Sequence, residues 1–495
     1  MAYLSVAALD AAVDHITTTY PAITEAITLP EASVEGRSIK ALKIGETTSS
    51  GRPAVIFLGG THARELINPE TVVGFALRLC DAYVNNTGLA FGPKTYDPST
   101  IQSIVKTLDL VLLPMVNPDG RNHCLVPGGE PMWRKNRSNH PGDACRGVDL
   151  NRNCDFLWSS GIGTSADSCS DVYKGPAAFS EPEARNVRWL IDQFPSATCM
   201  IDIHSYSELV LFPWGDDDNQ TTDPNQNFLN PAFDGQRGIV GSGYREYIPT
   251  ADQEAHLALG RRVRDGIAAV RGRVYTLQQS VALYPTTGTN HDYAYARHFV
   301  DTGKRRILGY TLETAREFQP GDAEKNQVIT EVSAGLMECL LETLCPADVL
   351  QALLDALFPL DSMRKFRDAS MLTTASGRRY VTLFRKHSRE LVQLLSTDRT
   401  MLEAGSALMK VAGTLVTDEG VDEMPKISAR DLAEASAAVR TFQNRGSPAL
   451  RADLTGLLAE MGALEGRSLR EVFSRRRTST QRTRRGSGPR STDDS

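Results

Sequence analysis

The 495-residue sequence contains no apolar run near the roughly 18 residues that a membrane-spanning helix needs, so we expect no membrane association. The N-terminal segment lacks the basic start of a secretory signal, and Asp10 and Asp14 interrupt its apolar positions. Those apolar positions follow helical spacing up to Pro21, which predicts a first helix of the folded domain. Cysteine is also scarce, and eight scattered residues make no disulfide scaffold. The composition indicates a soluble globular protein, and the length indicates a second domain.

The net charge of −6 is unevenly distributed along the chain. Residues 467–495 carry nine Arg against three acidic residues, a balance of +6, so residues 1–466 carry −12. This segment is rich in Arg, Ser, Thr and Gly and cannot bury a core, so we predict a disordered tail at 471–495. Contact with nucleic acid or another acidic surface is one interpretation of the tail, and a solvated terminus is the favoured one.

Apolar strands alternate with helices through the first two thirds of the chain. We predict strands at 54–60, 108–116, 197–205 and 305–313, and helices at 68–84, 179–194 and 328–344. Ser180 and Glu183 predict a capping box at the start of the second of these helices. The pattern predicts an α/β fold, with a mixed, mostly parallel sheet covered by helices on both faces.

Polar side chains follow four of these strands at the point where each one ends. His62 lies just past the first strand and Asn117 just past the second, while His204 and Glu313 end the third and fourth. Ligands of open parallel sheets bind beyond the carboxyl ends of the strands, so we expect these residues at one rim. A catalytic zinc ion takes three N, O or S ligands and keeps one open position. His62 and Glu65 can reach one ion from the same turn.

Six motifs identify a known family when they are taken together. "THARELINPE", "NPDG", "MWRKNRS", "GVDLNRN", "IHSYSELVLFPWG" and "YTLETARE" occur in the order and approximate spacing of the zinc carboxypeptidases of the carboxypeptidase A/B family. The resemblance covers roughly residues 3–344 and implies a carboxypeptidase A-like α/β/α fold. It therefore implies a metallocarboxypeptidase whose substrates are the C-termini of peptides or proteins.

The resemblance implies a single Zn²⁺ ion bound by His62, Glu65 and His204. It also implies that Asp149 orients the imidazole of His62, since such partners hold the ring and raise its basicity. Taken alone, each of these residues has an ordinary structural interpretation, and the surrounding motifs are what favour the ligand set.

Two further residues acquire catalytic roles from the same resemblance. Glu313 resembles the general base that takes a proton from zinc-activated water and passes it to the departing amine. Arg134 resembles the cation that polarises the scissile carbonyl and stabilises the oxyanion.

Recognition of the substrate is the least specific part of the resemblance. Arg152 is the expected partner of the C-terminal carboxylate, because a guanidinium can bind it bidentately, with Asn151 and Tyr284 adding hydrogen bonds. Arg64 is expected in the electropositive approach to the site. His291 takes the position at the bottom of the pocket for the last side chain, where it would stack on a ring or, if protonated, attract a carboxylate. We therefore expect substrates other than strongly basic ones.

Cys145 and Cys169 take the disulfide positions of the family, on either side of "GVDLNRN". A bridge there would close a loop of about 25 residues and contribute on the order of 3 kcal/mol, whereas a reducing compartment would leave two thiols. Secreted members of the family carry a signal and a pro-segment that we do not recognise here. We expect a cytoplasmic protein.

The resemblance ends near residue 345. We predict a catalytic domain at 1–345, an α-helical domain at 346–470 and the tail at 471–495. Apolar residues at helical spacing predict three helices in this region. The first begins at Leu350, the second has Ser428 and Asp431 as caps and an apolar face along 432–442, and the third has an apolar face along 450–458. Simple packing is the favoured interpretation of this region, and a regulatory or docking role is the alternative.

Three functions are compatible with the sequence. The favoured one is an active zinc carboxypeptidase that releases one C-terminal amino acid. The second is a related zinc amidohydrolase acting on acyl-amino acids or cell-wall peptides. The third is a catalytically silent binding module, which replacement of Glu65 or Glu313 would have favoured; neither is replaced.

Overall fold

The computed structural model describes residues 3–46, 52–344, 399–415 and 425–472, together with residue 374 and short stretches between 377 and 394. The chain divides into two units, Met1–Val349 and Leu350–Ser495. In the described parts of both units, no helix has the combination of length and apolarity that crossing a bilayer requires.

An eight-stranded sheet forms the centre of the first unit, in the order β1-β2-β6-β3-β7-β12-β8-β11. Its central strands β6, β3, β7 and β12 run parallel, whereas the β1/β2, β2/β6 and β12/β8 pairs are antiparallel. The strands of this sheet are β1 Thr24–Thr28, β2 Lys40–Ile44, β3 Ala54–Gly59, β6 Asp109–Leu113, β7 Ala197–Ser205, β8 Leu209–Phe212, β11 Thr276–Gln279 and β12 Leu308–Thr314. Two short pairs lie outside it: β4 Leu89–Phe91 with β5 Lys94–Tyr96, and β9 Asn219–Gln220 with β10 Glu246–Tyr247.

The described residues of the first unit form eight α-helices, most of which cover the sheet. They are α1 Val6–Thr19, α2 Ile67–Val84, α3 Pro98–Thr107, α4 Pro118–Leu125, α5 Pro182–Gln193, α6 Thr250–Arg271, α7 Asn290–Val300 and α8 Asp322–Thr343. Val55 and Phe57 of β3 join the core made with α1, α2, α3, α6 and α8. Ile56 and Leu58 join the opposite core, made with α5 and α7. Because side chains alternate along a strand, this continuous apolar run belongs to a strand buried on both faces.

The predicted fold class is therefore confirmed, with differences at the element ends. The fourth predicted strand begins at Leu308 rather than at residue 305. The capping box predicted for α5 is wrong, because Glu181 is the residue before the helix and no side chain caps its first turn. The hydroxyl of Ser180 instead donates to Glu181 and accepts a hydrogen bond from the side chain of Asn153. Contacts outside the helix therefore occupy this hydroxyl.

The described part of the second unit is helical, as predicted for the C-terminal region. It contains α9 Arg399–Leu415, α10 Ala429–Arg445, α11 Pro448–Met461 and α12 Leu469–Val472. Ser428 and Asp431 form a capping box at the start of α10, and Val439 and Phe442 are buried. The predicted stripe at Leu350 and the tail beyond residue 472 lie outside the described residues, and the boundaries and role of this domain stay predictions.

Candidate metal centre and active site

His62, Glu65 and His204 meet at the carboxyl ends of two central strands. His62 and Glu65 lie in the turn between β3 and α2, and His204 is the penultimate residue of β7. His62 Nδ1 is 2.7 Å from Glu65 Oε1 and 3.0 Å from His204 Nδ1, which is 3.1 Å from Glu65 Oε2. All three residues are buried, and their ligand atoms lie within 4.8 Å of one another. Two facing imidazoles and a carboxylate are a donor set suited to catalytic zinc, so these residues fit the expected ion.

The two glycines before His62 allow the chain to turn directly after a buried strand. Gly60 has φ +68°, and a Cβ atom on it would lie 2.9 Å from the ring of Pro69 at the start of α2. Only glycine adopts this conformation without strain and leaves room for that approach. The turn therefore places two ligands three residues apart at the rim.

Asp149 links the metal site to a cation. Its Oδ1 atom is 3.1 Å from His62 Nε2, and its Oδ2 atom accepts hydrogen bonds of 3.0 and 2.8 Å from Nε and Nη2 of Arg134. Burial acts to raise the pKa of Asp149, but Arg134 and His62 hold this pKa well below its ordinary range. The ionised carboxylate can accept the Nε2 proton of His62, which leaves Nδ1 free for an ion. Arg134 thus binds Asp149 through two nitrogens, which leaves both N–H groups of Nη1 and the second N–H of Nη2 for the predicted contact with a carbonyl.

Glu313 pairs with His204 across the ladder between the parallel strands β12 and β7. Paired residues of neighbouring strands are about 5 Å apart on one face of a sheet, so Glu313 lies beside the three candidate ligands. Burial raises the pKa of Glu313 to about 8, with an opposing effect from His204 and an added increase from Glu65. A bound divalent cation would favour the ionised carboxylate.

Arg152 presents an unpaired donor in a buried position. Its Nε atom donates to the carbonyl of Gly163 and Nη1 to that of Asn151, at 3.1 and 2.7 Å. Arg152 is only 2% exposed, yet its buried Nη2 atom has no hydrogen-bond partner among the described residues. The Tyr284 ring, on a residue that is 48% exposed, lies 5.9 Å from the guanidinium carbon. Buried donors are almost always paired, so this one indicates a site for an acceptor.

Asn151, Arg64 and His291 have contacts that bear on their predicted roles. Asn151 Oδ1 accepts a hydrogen bond from the backbone N–H of Asn290 at 2.9 Å. The Arg64 guanidinium lies 4.2 Å from the ring of Phe318. His291 is buried, with Nδ1 3.0 Å from the hydroxyl of Thr311. Burial lowers the pKa of His291 to about 3, which argues against the protonated form considered above.

Asn117 lies at the rim as expected, whereas sequence reasoning missed Asp202. Asn117 does follow β6 at the rim, but its Oδ1 atom caps α4 by accepting from Gly120 N at 2.9 Å, and its Nδ2 atom donates to Lys135 O. Asp202 is fully buried, and Oδ2 lies 2.9 Å from His204 Nε2. Its place two residues before His204 on a strand was the available signal, because such residues share a face.

Cys145 and Cys169 form a disulfide, which is one of the two states that the sequence left open. The closed loop contains Asp149 and Arg152, so the bridge constrains the segment that carries both residues. Among the described residues, the cysteines at positions 80, 124, 154, 199 and 339 are buried and form no disulfide.

Comparison with known proteins gives matches of three kinds. A family model described as zinc carboxypeptidase matches residues 9–332. Carboxypeptidase B of Helicoverpa zea is 36% identical over 221 residues, which cover 43% of this chain and 47% of that protein. Carboxypeptidase A4 of Mus musculus is 30% identical over 312 residues, which cover 62% of this chain and 64% of that protein. The matched part of this chain thus spans about half to two thirds of these relatives.

Two solved structures show the same fold at lower identity. Thrombin activatable fibrinolysis inhibitor matches with a TM-score of 0.55 and 23% identity, covering 69% of this chain and 74% of the other. Carboxypeptidase A from Helicoverpa armigera matches with a TM-score of 0.51 and 23% identity, covering 68% of this chain and 74% of the other.

Proposed function

Since the chain belongs to the zinc carboxypeptidase family, we propose that it is a zinc-dependent exopeptidase that releases one amino acid from the C-terminus of a peptide or protein. One observation carries the proposal. Asp149 Oδ1 is 3.1 Å from His62 Nε2 and accepts a 3.0 Å hydrogen bond from the backbone N–H of Asn151. This carboxylate therefore joins the candidate metal centre to the segment that carries the unpaired donor of Arg152, so a cleavage site and an anion site lie side by side.

We assign holding of the ion to His62, Glu65 and His204. When bound, Zn²⁺ supplies Lewis acidity to the carbonyl that is attacked and lowers the pKa of water. Glu313 then accepts the proton of the attacking water and returns it to the nitrogen of the leaving amine. Arg134 donates from Nη1 to the oxygen that becomes negative, while Asp149 holds the guanidinium through its other two contacts.

Exopeptidase selectivity is assigned to Arg152, Asn151 and Tyr284. A free C-terminal carboxylate can accept from the unpaired Nη2 atom, and Tyr284 is exposed enough to cover the bound residue. A C-terminal amide carries no charge, so the site would leave the guanidinium uncompensated in a buried position. Arg64 contributes positive charge to the approach of the substrate.

The last residue of the substrate is proposed to be other than strongly basic. His291 is neutral near pH 7, and burial raises the pKa of its neighbour Asp292 to about 7, so this carboxyl is not fully charged. Hydrolysis rates for peptides that differ only in their last residue test this preference. A preference for Lys or Arg would contradict it.

The decisive experiment compares one peptide with a free C-terminus and the same peptide amidated. We expect the full chain to release the last amino acid only from the free peptide, and a metal chelator to stop the release until Zn²⁺ is restored. Equal cleavage of the amidated peptide would contradict the proposal. Hydrolysis of acyl-amino acids without release from peptides would favour the amidohydrolase, and metal binding without any hydrolysis would favour the silent binding module.

A cytoplasmic location remains our proposal, and contact of the Arg-rich tail with nucleic acid remains the less favoured alternative for that segment. Disulfides persist mainly in oxidising compartments, so the state of Cys145 and Cys169 bears on the location. A count of alkylated cysteines distinguishes the two states, when the protein is isolated and then denatured in the alkylating reagent. The cytoplasmic proposal predicts eight thiols, because all eight cysteines would be reduced; a retained bridge leaves 8 − 2 = 6.

A further inference from the structure

Asp202 lies on the strand that delivers a candidate ligand and faces the same side of the sheet. It precedes His204 by two residues on β7, and side chains at this spacing share a face of a strand. Met200, two residues further back, joins the core made with α5 and α7. Asp202 and His204 are therefore directed toward the side of the sheet that α7 covers.

The carboxylate of Asp202 contacts three different elements. Oδ2 lies 2.9 Å from His204 Nε2 and accepts a 2.7 Å hydrogen bond from Nδ2 of Asn290, the first residue of α7. The hydroxyl of Thr61, in the turn directly before His62, donates to Oδ1 at 3.0 Å. One buried carboxylate thus lies against the ring of His204 and is bound by the residue that precedes His62.

Asn290 connects Asp202 to the expected substrate carboxylate site. Asn290 donates from its side chain to Asp202, and its backbone N–H donates to Asn151 Oδ1 at 2.9 Å. A continuous set of hydrogen bonds therefore runs from Asp202 to the residue beside Arg152. A displacement of Asp202 would therefore alter both the metal centre and the substrate carboxylate site.

The charge of Asp202 has no cationic side chain to balance it among its described contacts. Those contacts come from the hydroxyl of Thr61, the amide of Asn290 and the imidazole of His204. A fully buried carboxylate is costly unless it is paired. Among these described contacts the imidazole is the group that can carry positive charge, and an ion on its other ring nitrogen would supply it.

We propose that Asp202 is a positioning residue for the metal centre, which orients His204 as Asp149 orients His62, and that it couples metal binding to recognition of the substrate carboxylate. The inference rests on the proposed zinc site. It adds a second carboxylate–imidazole pair to that site, so that both histidine ligands are held by buried acids on separate segments.

The test measures zinc affinity of the full chain by competition with a chromophoric chelator. We expect Asp202→Asn to weaken zinc binding about 10- to 100-fold, as removal of such partners does elsewhere. The absorption spectrum of the Co²⁺-substituted protein should also change, because the imidazole is no longer fixed. The KM for a peptide with a free C-terminus should rise several-fold at saturating zinc.

A matched variant separates positioning from a general loss of stability. Asp252 is also a buried acid, and it contacts Tyr295 and Arg306 rather than any candidate ligand. We expect Asp252→Asn to lower the melting temperature without changing zinc affinity or the Co²⁺ spectrum. If Asp202→Asn does not fold, Thr61→Val removes one donor to the same carboxylate and should weaken zinc binding several-fold.

The inference would be overturned if Asp202→Asn bound zinc with an affinity within twofold of that of the unmodified protein. The same holds for Thr61→Val if it is used in place of Asp202→Asn. That result leaves the proposed function intact, provided the unmodified chain binds one zinc ion and hydrolyses peptides. Failure of the unmodified chain to bind zinc would instead contradict the proposed function.

Discussion

Asp149 illustrates how the side chains of the site depend on one another. Its carboxylate contacts His62, Arg134 and the backbone of Asn151, so one buried group serves the metal centre, the expected oxyanion donor and the carboxylate site. Arg134 stabilises the ionised form of this carboxylate, which lies 3.1 Å from Nε2 of His62. A change at any member of this set should alter the others.

Replacement of the expected general base should reduce turnover while leaving metal binding intact. We expect Glu313→Gln to lower kcat by roughly 10²- to 10⁴-fold, the usual contribution of a positioned base, because an amide cannot accept the proton. The zinc content of the purified variant should match that of the unmodified protein. Glu317→Gln, four residues along and exposed, is the control and should keep full turnover. Near-normal turnover of Glu313→Gln would remove this residue from the mechanism.

Replacement of the expected carboxylate partner should act on substrate binding. Lysine at position 152 offers one point charge and cannot keep the contacts that Nε and Nη1 make with backbone carbonyls. Loss of one charge-assisted pair costs about 1.5–3 kcal/mol, so we expect Arg152→Lys to lower kcat/KM about 10- to 100-fold for free peptides. Arg188→Lys is the control, because it changes an arginine stacked on Phe179, and it should leave kcat/KM unchanged. An unchanged kcat/KM for Arg152→Lys would place carboxylate recognition elsewhere.

At the scale of elements, the segment from Tyr284 to Thr289 is held by backbone contacts with two other loops. Thr286 N donates to Gly215 O at 2.7 Å, and Gly288 N donates to Phe156 O at 2.8 Å. Gly288 O in turn accepts from the backbone N–H of Cys154, two residues beyond Arg152. The loop therefore carries Tyr284 while its far end is fixed against the segment that presents the guanidinium.

A methyl group at Gly288 should separate these two segments. Gly288 has φ +71°, and a Cβ atom there would lie 2.3 Å from the carbonyl oxygen of Arg152. We expect Gly288→Ala to raise KM at least tenfold with little change in zinc content, measured by peptide kinetics and metal analysis.

Gly272 provides a matched control for the backbone conformation. It has φ +76°, and nothing lies within 4 Å of the position of its Cβ atom. Both alanine variants carry the same left-handed conformational cost of about 1–2 kcal/mol, so a difference between them reports the collision with Arg152. Equal KM values for the two variants would contradict the assigned role of the loop.

At the scale of the whole molecule, the two faces of the sheet differ in how they are covered. The core with α1, α2, α3, α6 and α8 contains apolar side chains from β3, β6, β7 and β12. The opposite side combines the α5 and α7 core with buried acids such as Glu183 and Asp292, whose pKa values are raised by burial. Carboxyl groups buried without full pairing favour the protonated form, which makes stability depend on pH.

Glu183 should make the protein less stable as pH rises. It accepts hydrogen bonds from Val34 N and from Asn136 Nδ2, and burial raises its pKa to about 7 from an ordinary value of 4.5. The folded state therefore binds more protons than the unfolded state between these values. The stabilisation is fully present below pH 4.5 and is lost as pH rises through 7, by an amount on the order of 3 kcal/mol.

Thermal unfolding at pH 5 and pH 8 measures this contribution. Gln at position 183 cannot titrate, so we expect Glu183→Gln to lose less stability between these pH values than the unmodified protein does. Glu254→Gln removes an exposed acid on α6 and should keep the full pH dependence. A Glu183→Gln variant with unchanged pH dependence would show that this carboxyl titrates normally.

Much of the fold could be predicted from local sequence, whereas the three metal ligands were assigned through the resemblance to the zinc carboxypeptidases. The strand at 54–59, the glycine turn and the two ligands after it follow one another directly, and the strands of His204 and Glu313 are recognisable as apolar runs. The ends of elements were less predictable. Ser180 was expected to cap α5, but contacts with Glu181 and Asn153 take its hydroxyl instead.

Local sequence was enough to predict which residues reach the rim of the sheet, because apolar runs and the strand ends that follow them are properties of consecutive residues. The tertiary structure decided which atoms meet there, since the pairs involved are far apart in the chain. His62 and Asp149 are 87 residues apart, and Asp202 and Asn290 are 88 residues apart. The neutral state of His291 and the engagement of Arg134 by Asp149 follow from burial and from such distant contacts, which no local pattern encodes.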